Sequence, residues 1–346
     1  MSVEATAPPA ANRRGDFARL FVLLATGLFT ALLVAVLSRY APKPARVPFD
    51  ATHLRSMRSQ RPDVVIIGNS MVYTRLAESL LDDLVKPTRV KIISRGGTQS
   101  AIWYAQLKNY VVASGVKVKR VILFFRDREL TLGRARTQGP FSGNLQRAMP
   151  GADPVIDAKL AEVPEGALGH VRIALGKVVP VGRLREFMAT RADTLAMRLA
   201  GLGRKRRSAI LEKKAINAVF EVESLRDVDA ERMASWDDER PFAEGVKDGF
   251  LPDMIELARN NGIELTFVRV RRRRTAAGRP DSPEVAAYMN DLRRYLKKQH
   301  VGFIDQSNAR WESLELYGNG DHIAPRYRLQ YTRLFVKYHP ELFKLP

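Results

Sequence analysis

Val64-Val65-Ile66-Ile67-Gly68-Asn69-Ser70 is the stretch whose reading decides the fold. Its β-branched apolar run ends in a glycine, a small amide and a serine, and helix-compatible sequence follows. A strand buried on both faces reads as a continuous apolar run of this kind. In an open α/β sheet the residues that follow such a strand lie at the carboxyl edge, where ligands bind. Ser70 is therefore the candidate nucleophile, and the rest of the chain must supply a base and donors for an oxyanion.

Outward from that strand the pattern repeats. Strands are expected at Asp63–Ile67, Arg89–Ser94, Lys119–Phe125, Glu264–Val270 and Val301–Ile304. Helices are expected at Thr74–Leu84, Ser100–Ser114, Pro252–Asn260, Glu284–Lys298 and Pro325–Tyr338. Apolar strands alternating with helical patterns indicate βαβ units and an α/β fold with a parallel five-stranded sheet. The interval between the third and fourth strands is far too long for one crossover. Residues 134–245 therefore read as a basic, mainly helical insertion, with helical stretches at Pro154–Leu160, Gly182–Leu202 and Ile210–Asp227. The α/β domain is left with residues 59–133 and 246–346.

The amino-terminal part is of another kind. Residues 1–18 are Ala/Pro-rich and polar, and read as a disordered tail. Phe21–Leu37 carries no charge, and as a helix it would be about 26 Å long, close to a hydrocarbon thickness. Residues 19–38 are expected to form a transmembrane anchor. The bulky, charged Leu37-Ser38-Arg39-Tyr40 argues against a cleaved signal peptide. Arginines and lysines flank the run on both sides, so charge does not fix its orientation. Residues 39–58, with Pro42, Pro44 and Pro48, read as a stiff linker.

The 346 residues carry a net charge of +20 and no cysteine. Disulfides, thiol nucleophiles and thiolate metal sites are excluded. His53, His170, His300, His322 and His339 show no metal-ligand spacing, so no metal or other cofactor is expected. The basic field favours anionic partners. Arg204-Lys205-Arg206-Arg207 is assigned to membrane lipid phosphates. No zinc finger, helix-turn-helix or aromatic-plus-basic RNA motif accompanies the charge, so nucleic acid is not an expected partner.

His322 is the candidate base. It lies in Tyr317-Gly318-Asn319-Gly320-Asp321-His322, after the last strand and before the last helix. Asn319 and Asp321 are the alternatives for orienting its far ring nitrogen. Gly97, beside Gly96 after the second strand, is a candidate oxyanion donor together with the Ser70 N–H. Arg126 or Arg128, after the third strand, could add a guanidinium. Plainer readings stand beside these. Ser70 could merely cap its helix, Asn69 could serve as a left-handed turn residue, and Arg128 could pair on the surface with Asp127 or Glu129. Arg271–Arg274 reads as a solvated loop, with binding of an anionic substrate as the alternative.

The order of Gly68-Asn69-Ser70, Gly97, a polar group after strand three and His322 before the last helix resembles the SGNH (GDSL) hydrolase superfamily. Gly68-Asn69-Ser70 stands where that family has Gly-Asp-Ser. Phe125-Arg126-Asp127-Arg128 replaces Gly-x-Asn-Asp, and Asn319-Gly320-Asp321-His322 replaces Asp-x-x-His. An arginine after that strand, with an anchor, is similar to the membrane-anchored SGNH-like proteins of alginate and exopolysaccharide O-acetylation and D-alanyl transfer. The resemblance implies a flavodoxin-like three-layer α/β/α sandwich. It implies a serine esterase or O-acyltransferase acting on acyl esters of a cell-surface or exported glycan. It further implies a bacterial inner-membrane protein with its domain in the periplasm or cell exterior, working beside a multipass membrane O-acyltransferase. A catalytically degenerate accessory protein that binds glycan or such a partner is the alternative.

Overall fold

The computed structural model describes residues 47–133, 143–160, 240–318 and 320–345, with parts of 21–36 and Leu195. The chain divides into two compact units. One comprises Met1–Ala45 and Glu162–Leu211. In it residues 21–22, 25–30, 32–33 and 36 are helical, and Phe21, Leu28 and Phe29 are exposed. No helix among the described residues is long and apolar enough to cross a membrane. The expected tail, residues 19–20, 23–24, 31, 34–35 and 37–38 of the expected anchor, the stretches 182–202 (apart from Leu195) and 210–227, and the basic cluster 204–207 lie outside the described residues.

The other unit comprises Arg46–Ala161 and Glu212–Pro346 and contains the sheet. Its strands are β1 (Val64–Gly68), β2 (Val90–Ser94), β3 (Arg120–Phe125), β4 (Glu264–Arg269) and β5 (Gly302–Asp305). All pairings are parallel, in the order β2-β1-β3-β4-β5. The winding direction reverses between β1 and β3, which opens a crevice at their carboxyl ends. Ser70 follows one of these strands and Arg126 the other.

The alternation of side chains along β1 and β3 separates two cores. Val65, Ile67, Val121, Leu123 and Phe125 face one cluster, which is closed by α1 (Thr52–Gln60), α4 (Ser100–Gln106), α5 (Leu251–Asn260) and α6 (Pro283–Lys298). Val64, Ile66, Ile122 and Phe124 face the other, closed by α2 (Ser70–Arg75), α3 (Glu78–Leu84) and α7 (Arg328–Tyr338). Helices thus cover both faces. Val64 to Ile67 are fully buried, and each contributes on the order of 2 kcal/mol of transfer free energy.

The differences from the sequence reading have local causes. The expected helix Thr74–Leu84 is two helices, α2 and α3, with extended backbone at Leu76 and Ala77. The break is held by α7: the Thr332 hydroxyl accepts the Ala77 N–H at 3.0 Å, and Arg328 donates to the Leu76 carbonyl. The expected linker 39–58 gives way at Thr52 to α1, which buries Met57. The insertion is not wholly separate either. Its flanks form helices at Asn144–Ala148, Pro154–Leu160 and Phe242–Asp248, and Ala148, Ile156 and Phe242 join the first core.

Candidate active site

The turn from β1 into α2 depends on Gly68 and Asn69. A Cβ at Gly68 would fall on Val72 Cγ2 and lie 3.2 Å from the Phe124 carbonyl oxygen. A larger residue there would have to displace Val72 of α2 and press on the Phe124 carbonyl of β3. Asn69 is extended, at φ −97° and ψ −152°, and its Oδ1 accepts the Met71 N–H at 3.0 Å. It is therefore the helix cap and not a left-handed turn residue. Because Asn69 caps the helix, the Ser70 hydroxyl is not required for that purpose.

His322 is delivered by a small closed loop. Tyr317 and Ile323 form an antiparallel bridge. The Gly318 N–H donates to the His322 carbonyl at 2.9 Å, and the Ala324 N–H to the Leu316 carbonyl at 2.8 Å. Gly320 takes φ +49°, a left-handed value that favours glycine. The loop is pinned from below by Arg75, the last residue of α2, whose Nη1 donates to the Asp321 carbonyl at 2.9 Å. The result is that His322 Nε2 lies 2.8 Å from Ser70 Oγ, across 252 residues of sequence. With the ring proton on Nδ1, Nε2 is an acceptor for the hydroxyl proton.

Of the two candidate orienting residues, Asn319 lies outside the described residues. Asp321 is buried, and its carboxylate faces arginines. Arg126 Nη1 lies at 3.2 Å, Arg272 Nε at 3.5 Å, and the Arg273 N–H donates at 2.9 Å. Burial pushes its pKa up, but Arg272, Arg126 and the Arg273 N–H outweigh burial and hold it below the usual carboxylate range.

Gly97 has φ +69° in the turn between β2 and α4. Asn144, from the flank of the insertion, donates to the neighbouring Gly96 carbonyl at 2.9 Å. Arg128 is buried with its guanidinium over the Tyr288 ring, 5.6 Å from the centroid. Asp127 and Glu129, read from the sequence as surface partners, are buried. Asp127 sits between Arg269 at 2.9 Å and Arg272 at 2.5 Å. Burial pushes its pKa up, yet Arg272, Arg269 and Arg126 bring it down to about 2.

The solvated-loop reading of Arg271–Arg274 is corrected at two positions. Arg272 is buried on Asp127. Arg271 donates to the carbonyls of Ala309, Glu312 and Thr275, stitching β4 to the segment that follows β5. The remaining histidines have local roles. His53 packs on Tyr110, His300 ends α6 at φ +57°, and His339 packs among Trp311 and Phe335. His170 lies outside the described residues.

Arg75 and Arg269 have no place in the sequence reading, and Glu129 enters it only as a surface partner of Arg128; all three are buried at this edge. One signal does point to two of them. Arg126-Asp127-Arg128-Glu129 continues directly from an apolar strand, and Arg269 lies at the end of another. Charges in those positions are carried to the sheet edge, where they must pair.

No known family profile and no curated protein matches the chain. Among solved structures it is similar to a chain from Bacteroides fragilis proposed to be an acylhydrolase, at 13% identity, covering 89% of this chain and 98% of that chain. The TM-score is 0.37, too low to assign a shared fold or activity.

Proposed function

We propose that this chain is a serine acyl-ester enzyme in which Ser70 is the nucleophile and His322 its base. The observation that carries this reading is the 2.8 Å contact between Ser70 Oγ and His322 Nε2 at the carboxyl edge of a parallel sheet. Ser70 Oγ attacks the acyl carbonyl carbon while Nε2 takes its proton. The tetrahedral oxyanion is held by the N–H groups of Ser70 and Gly97, with Arg128 as a further donor. The imidazolium returns its proton to the departing alkoxide as the carbon–oxygen bond breaks. Water or a sugar hydroxyl then attacks the acyl-enzyme, again through His322. Asn319 or Asp321 orients the far ring nitrogen.

The substrate we propose is an acyl ester of an exported glycan, with a multipass membrane O-acyltransferase as partner. The uncharged run Phe21–Leu37 supports a membrane anchor, and the placement in the inner membrane with the α/β domain in the periplasm or cell exterior is part of the same proposal. The +20 charge supports contact with an anionic lipid surface.

A fluorophosphonate probe tests the chemistry. Wild type labels, and Ser70→Ala and His322→Ala do not. Equal labelling of Ser70→Ala sinks the proposal and leaves a binding protein on the same scaffold. Membrane fractionation with and without residues 19–38 tests the anchor.

A further inference from the structure

Asn69 occupies the position where the resembled family has an acid, and its surroundings are those of a donor. Nδ2 lies 3.1 Å from both carboxylate oxygens of Glu129 and 3.4 Å from the Thr98 carbonyl. Oδ1, on the other side, accepts the Met71 N–H. Every neighbour of Nδ2 is an acceptor and the neighbour of Oδ1 is a donor, so only one orientation of the amide satisfies the site. Glu129 is itself fixed, because its Oε2 accepts the Arg126 N–H at 2.8 Å and its Oε1 lies 3.9 Å from Arg126 Nε. Asn69 is 5% and Glu129 6% exposed, so neither contact is diluted by solvent.

We infer that Glu129 is a positioning residue for Ser70, acting through the Asn69 amide: the carboxylate at the end of β3 fixes the cap of α2, and the cap fixes the serine. An aspartate at position 69 would set its carboxylate against that of Glu129 and against the Thr98 carbonyl. This rests on Ser70 being the nucleophile.

The test is a reciprocal exchange. Wild type, Asn69→Asp, Glu129→Gln and the double variant are compared by fluorophosphonate labelling and by thermal unfolding. In the double variant the introduced glutamine amide can donate to the introduced carboxylate and still accept the Arg126 N–H. Asn69→Asp should slow the maximal labelling rate by roughly 100-fold, the scale of a misplaced reacting group. The probe concentration giving half-maximal rate should change little. The double variant should recover at least about 10-fold of that loss, together with part of the lost melting temperature.

A double variant that labels no faster than Asn69→Asp overturns the inference, as does Glu129→Gln labelling at the wild-type rate. If wild type itself does not label, the nucleophile assignment fails instead. The melting temperatures then decide on their own: a double variant no more stable than Asn69→Asp rules out the coupling of these two side chains.

Discussion

Arg75 donates from Nη1 to the main-chain carbonyl of Asp321 at 2.9 Å. Arg75 closes the helix that Ser70 opens, and Asp321 precedes His322, so one guanidinium ties the two reacting side chains into a single rigid piece. The same group donates to the Arg271 carbonyl at 2.9 Å and pairs with Glu312 at 3.0 Å, and both side chains of that pair are fully buried. Arg75→Met should remove the tie and leave Glu312 as an uncompensated buried charge. The expected loss is about 3–5 kcal/mol, measured by urea unfolding. Arg75→Lys keeps the charge but not the three-way fork, and should label more slowly than wild type while remaining folded.

Gly68→Ala tests how tightly α2 packs on the end of β1. The added methyl falls on Val72 Cγ2, at the base of the helix that carries Ser70. A well-packed site that must accept a methyl loses roughly 1–3 kcal/mol. Labelling should fall further than stability does, because the displaced helix carries the nucleophile. Comparing the unfolding midpoint with the labelling rate separates the two effects.

How much of this was legible in the sequence varies with the kind of interaction. The strands could be read because each is a contiguous apolar run set by its own side chains. Ser70 and His322 could be read because a strand end and a glycine-rich turn are local signals. The division of the expected helix at Leu76 could not, because Thr332 and Arg328 on α7 hold it open. Nor could the inward turn of Arg272, whose partner Asp127 lies 145 residues away in sequence. A run of arginines looks the same in sequence whether it is solvated or paired.

Gly97→Ala probes the candidate oxyanion turn. At φ +69° an alanine is strained, and the cost should exceed about 1 kcal/mol. If the Gly97 N–H contacts the oxyanion, turnover of a p-nitrophenyl ester should fall while the Michaelis constant holds steady. An unchanged turnover number would remove Gly97 from the site.

Acid should weaken the fold through Asp127. Its folded pKa is about 2 against an ordinary 3.8, because Arg272, Arg269 and Arg126 overcome its burial. A depressed carboxyl stabilises the fold fully above the unfolded value. That contribution, about 2 kcal/mol, is lost as pH falls from about 4 toward 2. Asp321 is shifted in the same direction and adds to the slope. Asp127→Asn should lower stability at pH 7 and flatten its pH dependence below pH 4. Calorimetry across that range checks both.

Both edges of the long excursion between β3 and β4 are fastened to the same few residues. Lys159 bridges Asp253 and the Gly249 carbonyl, and Arg240 pairs with Asp248. The described flanks of that excursion, at Lys159 and Arg240, thus converge on residues 248–253, just ahead of and inside the first turn of α5. Loosening the start of α5 would therefore release both flanks together, so the two ends of the excursion share one point of failure.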